Sequence, residues 1–296
     1  MGKKSQLRKQ EQEEMHRRHF FKKIMIATAI AGVGYTGYHY LSRTTTTPIE
    51  QLLREHATFE LINPQGKGNF YLIAQEHYYA PMGVKGREKN APQAELLPQI
   101  QTDIFFTLKN LSERASLKLV IGEGFKKGEI KLRLKDEFAL KDYKEQLKDT
   151  NSTQQFFREH PKETGYAVLE AHYPDLVASY GINDLPLQNE IDNLERKLFN
   201  IALVQVLTKQ DYNDSQKRTQ VNNEATPHKD RILELNNERS RMYLTESAQI
   251  ADSLGEKDLA VVIGAAHIPL MRKEYKGARK LYIVKPNSLK RESFQE

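Results

Sequence analysis

Along this chain, short unbroken apolar runs alternate with longer stretches in which apolar residues recur at helical spacing. Residues 259–263 are five apolar residues in a row, which suits a strand covered on both faces. The run stops abruptly at Gly264, Ala265, Ala266 and His267, and Pro269 then suits the first turn of a helix. A second run over 70–74 stops at Gln75, Glu76 and His77, and the next strand, 117–121, apolar except for Lys118, stops at Gly122, Glu123 and Gly124. An apolar stretch from Ala57 to Ile62 is followed by Asn63, Pro64, Gln65 and Gly66, which suit a type I turn, so 57–74 reads as a hairpin. Shorter strands are expected at 176–181 and 280–284.

Between the runs lie the helices. Leu97, Ile100, Ile104, Leu108 and Leu111 mark one over 95–111, and Leu187, Ile191, Leu194, Leu198 and Ile201 mark another over 187–207. A third spans 228–254 and closes at Gly255. On it, Ile232, Leu235, Met242, Tyr243 and Ile250 share one stripe, with Arg239 and Glu246 in its middle and Arg241 pointing elsewhere. An unpaired buried charge is costly, so Arg239 must find acceptors or reach a polar cavity. Residues 125–174 are charged, with short helices expected at 135–147 and 153–160, and 209–227 reads as a polar connection. His160, His172 and His228 fall in polar stretches and are expected to be solvated. Residues 78–92, rich in Gly, Pro, Lys and Tyr, read as a long loop beside His77.

Strands alternating with helices predict an α/β domain over 57–286, with a central mixed, largely parallel sheet flanked by helices. Upstream, residues 24–41 carry no Asp, Glu, Lys or Arg and follow Arg17, Arg18, Lys22 and Lys23. This predicts a single N-terminal transmembrane anchor with 1–23 as a basic cytoplasmic arm, 42–56 as linker, and the domain on the extracytoplasmic side. Residues 287–296 read as a polar tail. Nine of the 45 basic residues but only three of the 39 acidic ones lie before residue 44, so the basic pI belongs to the arm. The domain itself is balanced, which argues against a nucleic-acid partner. With no cysteine, disulfides and thiolate metal sites are excluded.

In a parallel sheet the carboxyl ends of the strands share one edge, so His77, Glu123 and His267 are expected to converge there with Arg239. Two imidazoles and a carboxylate suit a divalent ion that keeps an open position for water. Without a metal, a histidine serves as general base while the arginine stabilises an oxyanion. Each residue also has an ordinary reading: a capped imidazole, a turn carboxylate, a structural clamp.

The strand ending near His77, the strand ending in Glu123, the helix bearing Asn237, Glu238, Arg239, Ser240, Arg241 and Met242, and the Gly264–His267 GxxH together resemble the TraB/Tiki superfamily, which includes erythromycin esterase-like and haem-uptake ChaN-like proteins. The segment 173–183, with Tyr180, Gly181 and Ile182, is similar to a middle motif of that group. The resemblance implies an α/β fold of paired halves whose site is built from both histidines, the carboxylate and the arginine, with His77, Glu123 and His267 as candidate metal ligands. Tiki members imply a membrane-tethered, divalent-metal-dependent peptidase, esterase-like members a histidine base hydrolysing an ester, and ChaN-like members haem binding. The first motif departs from the pattern, with Ala74 where the family prefers glycine. The expectation is therefore a membrane-anchored hydrolase-like protein. The alternative is a non-catalytic haem-binding, ligand-binding or structural envelope protein.

Overall fold

The computed structural model describes residues 49–76, 96–129, 143–207 and 215–289. Among these, no helix is long and apolar enough to cross a membrane. The expected anchor over 24–41, His77 and the 78–92 loop lie outside the described residues, as does most of the helix expected at 135–147.

The core is a seven-stranded sheet with strands β1 (Ala57–Ile62), β2 (Asn69–Gln75), β3 (Leu119–Lys126), β4 (Gly128–Glu129), β5 (Ala178–Asn183), β6 (Leu259–Gly264) and β7 (Lys280–Pro286). Their order across the sheet is β1-β7-β2-β6-β3-β5-β4. The five central strands are parallel, and an antiparallel strand closes each edge. The protein is thus α/β with a mixed, largely parallel sheet. Every residue of β6 is buried, as is every residue of β2 after Asn69, which is why both read as continuous apolar runs.

Helices cover the sheet in two layers. On one side, α2 (Leu97–Arg114) packs on β2 and β7, with α1 (Ile49–Arg54), α3 (Thr150–Glu159) and α4 (Gly165–His172) against it. On the other, α5 (Leu185–Leu207) packs along α6 (Ser215–Leu254), and α6 reaches β5, the short 3-10 turn Ala265–His267 and α7 (Ile268–Glu274). Gly122 faces Tyr166 of α4 while the next residue, Glu123, bonds to Arg239 of α6. Successive strand residues point to opposite faces, so the sheet lies between the two layers.

The hairpin expected at 57–74 is present as a turn but not as a pair. Gly66 N–H bonds to the Asn63 carbonyl at 3.0 Å, which closes the turn. However, β7 inserts between β1 and β2, pairing antiparallel with the first and parallel with the second. The insertion is held at the turn, where the Asn63 side-chain amide donates to the carbonyls of Gly277 and Arg279 at 3.2 and 3.1 Å. A distant strand has displaced the local partner, and turn chemistry alone carries no information about that.

Other boundaries also moved. The polar connection expected at 209–227 is helical from Ser215, and Pro227 lies inside α6. Most described side chains of 219–227 face solvent, so this part has no apolar stripe by which to recognise it. Within 42–56, α1 buries Leu52 and Leu53, a pair too short to show a period. His172, expected to be solvated, is 2% exposed because α4 is an apolar helix sunk against α2, and the His160 ring packs tilted against Phe156 with centroids 4.7 Å apart. Gly255 caps α6 as expected, at φ 72°.

The amino ends of β2 and β6 are drawn tightly together. Asp258 accepts from the Asn69 backbone at 2.7 Å and from its side chain at 3.1 Å. Beside this clamp Gly68 has φ +82°, and a Cβ there would lie 2.4 Å from the Lys257 carbonyl oxygen. Gly68→Ala therefore combines a left-handed strain with a backbone clash. It is expected to cost about 2–4 kcal/mol, read as a lower urea midpoint with an unchanged m-value.

Candidate functional site

Three elements deliver the groups. β3 ends its pairing with β6 at Gly122↔Val262, and its pairing with β5 shifts register between Gly122 and Lys126. Glu123 is therefore released from the regular ladder at the carboxyl edge of the sheet. Its side chain takes over a ladder role: Oε2 accepts the Gly264 backbone N–H at 2.7 Å. Its carbonyl accepts the Tyr166 hydroxyl at 2.6 Å. A Cβ at Gly122 would lie 2.1 Å from the Tyr166 ring, so only glycine lets that tyrosine approach. Burial pushes the Tyr166 hydroxyl well above the usual tyrosine range, which keeps it a proton donor.

The second element is α6. Its buried positions Leu235, Arg239, Tyr243, Ser247 and Ala251 follow one another at intervals of four, the spacing of a helix ridge, with Ser240 beside them. Arg239, 6% exposed, donates through Nη2 to Glu123 Oε1 at 2.8 Å. Nε and Nη2 also donate to the Tyr243 hydroxyl at 3.2 and 2.8 Å. Burial, and after it the Glu123 charge, raises the Tyr243 hydroxyl above its ordinary range. Arg241 is directed outward, where it pairs with Glu274.

The third element is the turn after β6. Gly264 has φ −51° and ψ 133°, extended backbone open to any residue, so what the site uses here is its N–H. One 3-10 turn later His267 leads into α7, whose first turn holds Pro269. His267 is 7% exposed, with Nε2 3.3 Å from Glu123 Oε1 and Nδ1 2.8 Å from Ser240 Oγ. The Tyr243 ring meets it edge-on at 5.5 Å.

Of the four residues expected to converge, Glu123, Arg239 and His267 share one buried cluster, and His77 lies outside the described residues. Tyr243 and Ser240 were missed as polar members. Tyr243 reads as one more apolar position on its stripe, and Ser240 as a neutral helix residue, although its place beside Arg239 was the available signal. Grooves of about 600 Å³, lined in part by Arg231 and Asn237, and about 430 Å³, lined in part by Phe70 and Leu244, lie off the cluster on other surfaces of α6.

The donor set bears on the divalent ion that the resemblance implies. Among the described residues no group of three or more His, Asp or Glu side chains could hold a metal. The 3.3 Å between His267 Nε2 and Glu123 Oε1 would suit two neighbouring ligands. Yet that same Oε1 accepts from the Arg239 guanidinium at 2.8 Å, and Oε2 is held by Gly264. A cation there would stand against a fixed positive charge. The described donors make a buried carboxylate–imidazole contact with a balancing guanidinium, and His77, the third expected ligand, lies outside the described residues.

Comparison of the chain with protein-family models, with curated proteins and with solved structures finds no match.

The Glu123–Arg239 pair is more than nine-tenths buried, so removing one member strands the other's charge. Arg239→Met is expected to cost about 3–5 kcal/mol in chemical denaturation. Combining it with Glu123→Gln is expected to recover a large part of that loss. Strict additivity in this double-mutant cycle would show that the two side chains do not couple.

Proposed function

We propose that the protein is a membrane-anchored hydrolase acting on an ester or peptide through His267, with Glu123 and Arg239 as its fixed partners. The observation that carries the reading is the buried pair formed by His267 Nε2 and Glu123 Oε1, 3.3 Å apart at the carboxyl edge of the parallel strands. That separation is loose for a completed hydrogen bond and leaves Nε2 as the group able to take a proton from an attacking water. Once charged, the imidazolium is steadied by the carboxylate beside it. Arg239 balances Glu123 and so keeps the buried carboxylate affordable before the proton arrives. The likeness to TraB/Tiki proteins supports the same assignment, since it implies a site made of these residues at these strand ends. His77 would join from the end of β2, and residues 24–41 would tether the domain outside the cytoplasm.

The test uses the full chain in detergent micelles, assayed against a peptide panel and a series of aryl esters. Turnover is expected with at least one class. His267→Ala is expected to lower kcat about a hundred- to ten-thousandfold, and a chelator to leave the wild-type rate unchanged. Loss of turnover on chelation, restored by added metal, would replace the metal-free route with the metal-dependent one. If neither class is cleaved and haem produces a Soret band that His267→Ala removes, the non-catalytic binding reading takes its place.

A further inference from the structure

The hydrogen-bond geometry around Ser240 determines which nitrogen of His267 is free to exchange protons. Ser240 is 2% exposed, and its Oγ has two neighbours at the same distance, the Asn236 carbonyl oxygen at 2.8 Å and His267 Nδ1 at 2.8 Å. Contacts this short between electronegative atoms each need a hydrogen between them. A carbonyl oxygen has none to give, so the Ser240 hydroxyl hydrogen lies on the Asn236 side. Its oxygen is then an acceptor towards the imidazole, and the second hydrogen must come from Nδ1.

We infer that Ser240 is a positioning residue that holds His267 as the Nδ1–H tautomer, so that Nε2, facing Glu123, is the nitrogen that carries the lone pair. The inference rests on the hydrolase reading for its purpose, and on the two Ser240 distances for its substance. Without Ser240 the strong acceptor in reach of the ring among the described residues is the Glu123 carboxylate, which would draw the hydrogen to Nε2 and occupy the base. Among the described residues the Tyr243 ring also faces the imidazole, at 77° to it, and its hydroxyl accepts from Arg239. Ser240 therefore turns a carboxylate that would otherwise capture the imidazole hydrogen into one that waits for the imidazolium.

The tautomer is read directly by nitrogen NMR of the full chain in micelles, labelled with ¹⁵N-histidine and held at a pH well above the ordinary imidazole range. His267→Gln identifies which of the nine histidine signal pairs belongs to this ring. The wild type is expected to show a pyrrole-type Nδ1 and a pyridine-type Nε2. Ser240→Ala is expected to reverse that pattern and to lower kcat at least about tenfold with KM unchanged. Ser240→Thr keeps a hydroxyl that readily bonds the carbonyl four residues back, and is expected to retain the wild-type pattern and rate. A wild-type ring with its hydrogen on Nε2 overturns the inference, as does a folded Ser240→Ala variant that keeps Nδ1–H. If no substrate is turned over, the hydrolase reading fails while the nitrogen spectra still decide the role of Ser240.

Discussion

Placing the charge of Glu123 inside the protein is the demand that the surrounding structure answers. A carboxylate 5% exposed is tolerable only when both oxygens are occupied and the charge is balanced. Oε2 is met by the backbone of β6 and Oε1 by the guanidinium of α6, so one side chain ties the sheet edge to the helix layer. Tyr166 fixes the same residue from the opposite layer through its carbonyl, at a spot where only glycine allows the approach. The imidazole of His267 then enters an environment whose charges are already settled. On the proposed hydrolase reading, the fixed partners satisfy one another and His267 is the titratable group left to do chemistry.

The position of these groups depends on strand register. At the far end of the sheet, Asp258 grips Asn69, and Gly68 lets the chain pass against Lys257. This sets Phe70 opposite Leu259, and the pairing then runs without interruption to Gln75 opposite Gly264. A slip of one residue would turn the apolar set of each strand to the other face, which two covered faces do not permit. The clamp at the amino ends thus decides where the carboxyl ends finish. Between Gly122 and Lys126 the regular pairing of β3 is interrupted, and it is there that Glu123 leaves the ladder to reach both β6 and α6.

The amino-acid pattern carried much of this, and its omissions have physical causes. Runs of apolar residues identified β2, β3 and β6 because these strands are buried on both faces, and a covalent spacing rule placed Arg239 on the inward side of α6. The insertion of β7 between β1 and β2 was not legible, because strand pairing across more than two hundred residues leaves no trace in local composition. The stretch 219–227 of α6, where most described side chains face solvent, carried no stripe. His172 was misplaced because a histidine is polar as a symbol, while its environment belongs to the helix it sits on.

By itself, then, the sequence determined the fold class, the strand ends that carry Glu123 and His267, and the inward direction of Arg239, since all of these follow from periodicities of the chain. Tertiary structure alone decided the rest: that Arg239 serves Glu123 directly, that Tyr243 and Ser240 complete the polar cluster, and that the two imidazole nitrogens of His267 have unlike partners. These are matters of a few tenths of an ångström between elements far apart in the chain. Hydrogen bonds are that sensitive to distance, and residue spacing along a helix or strand is not.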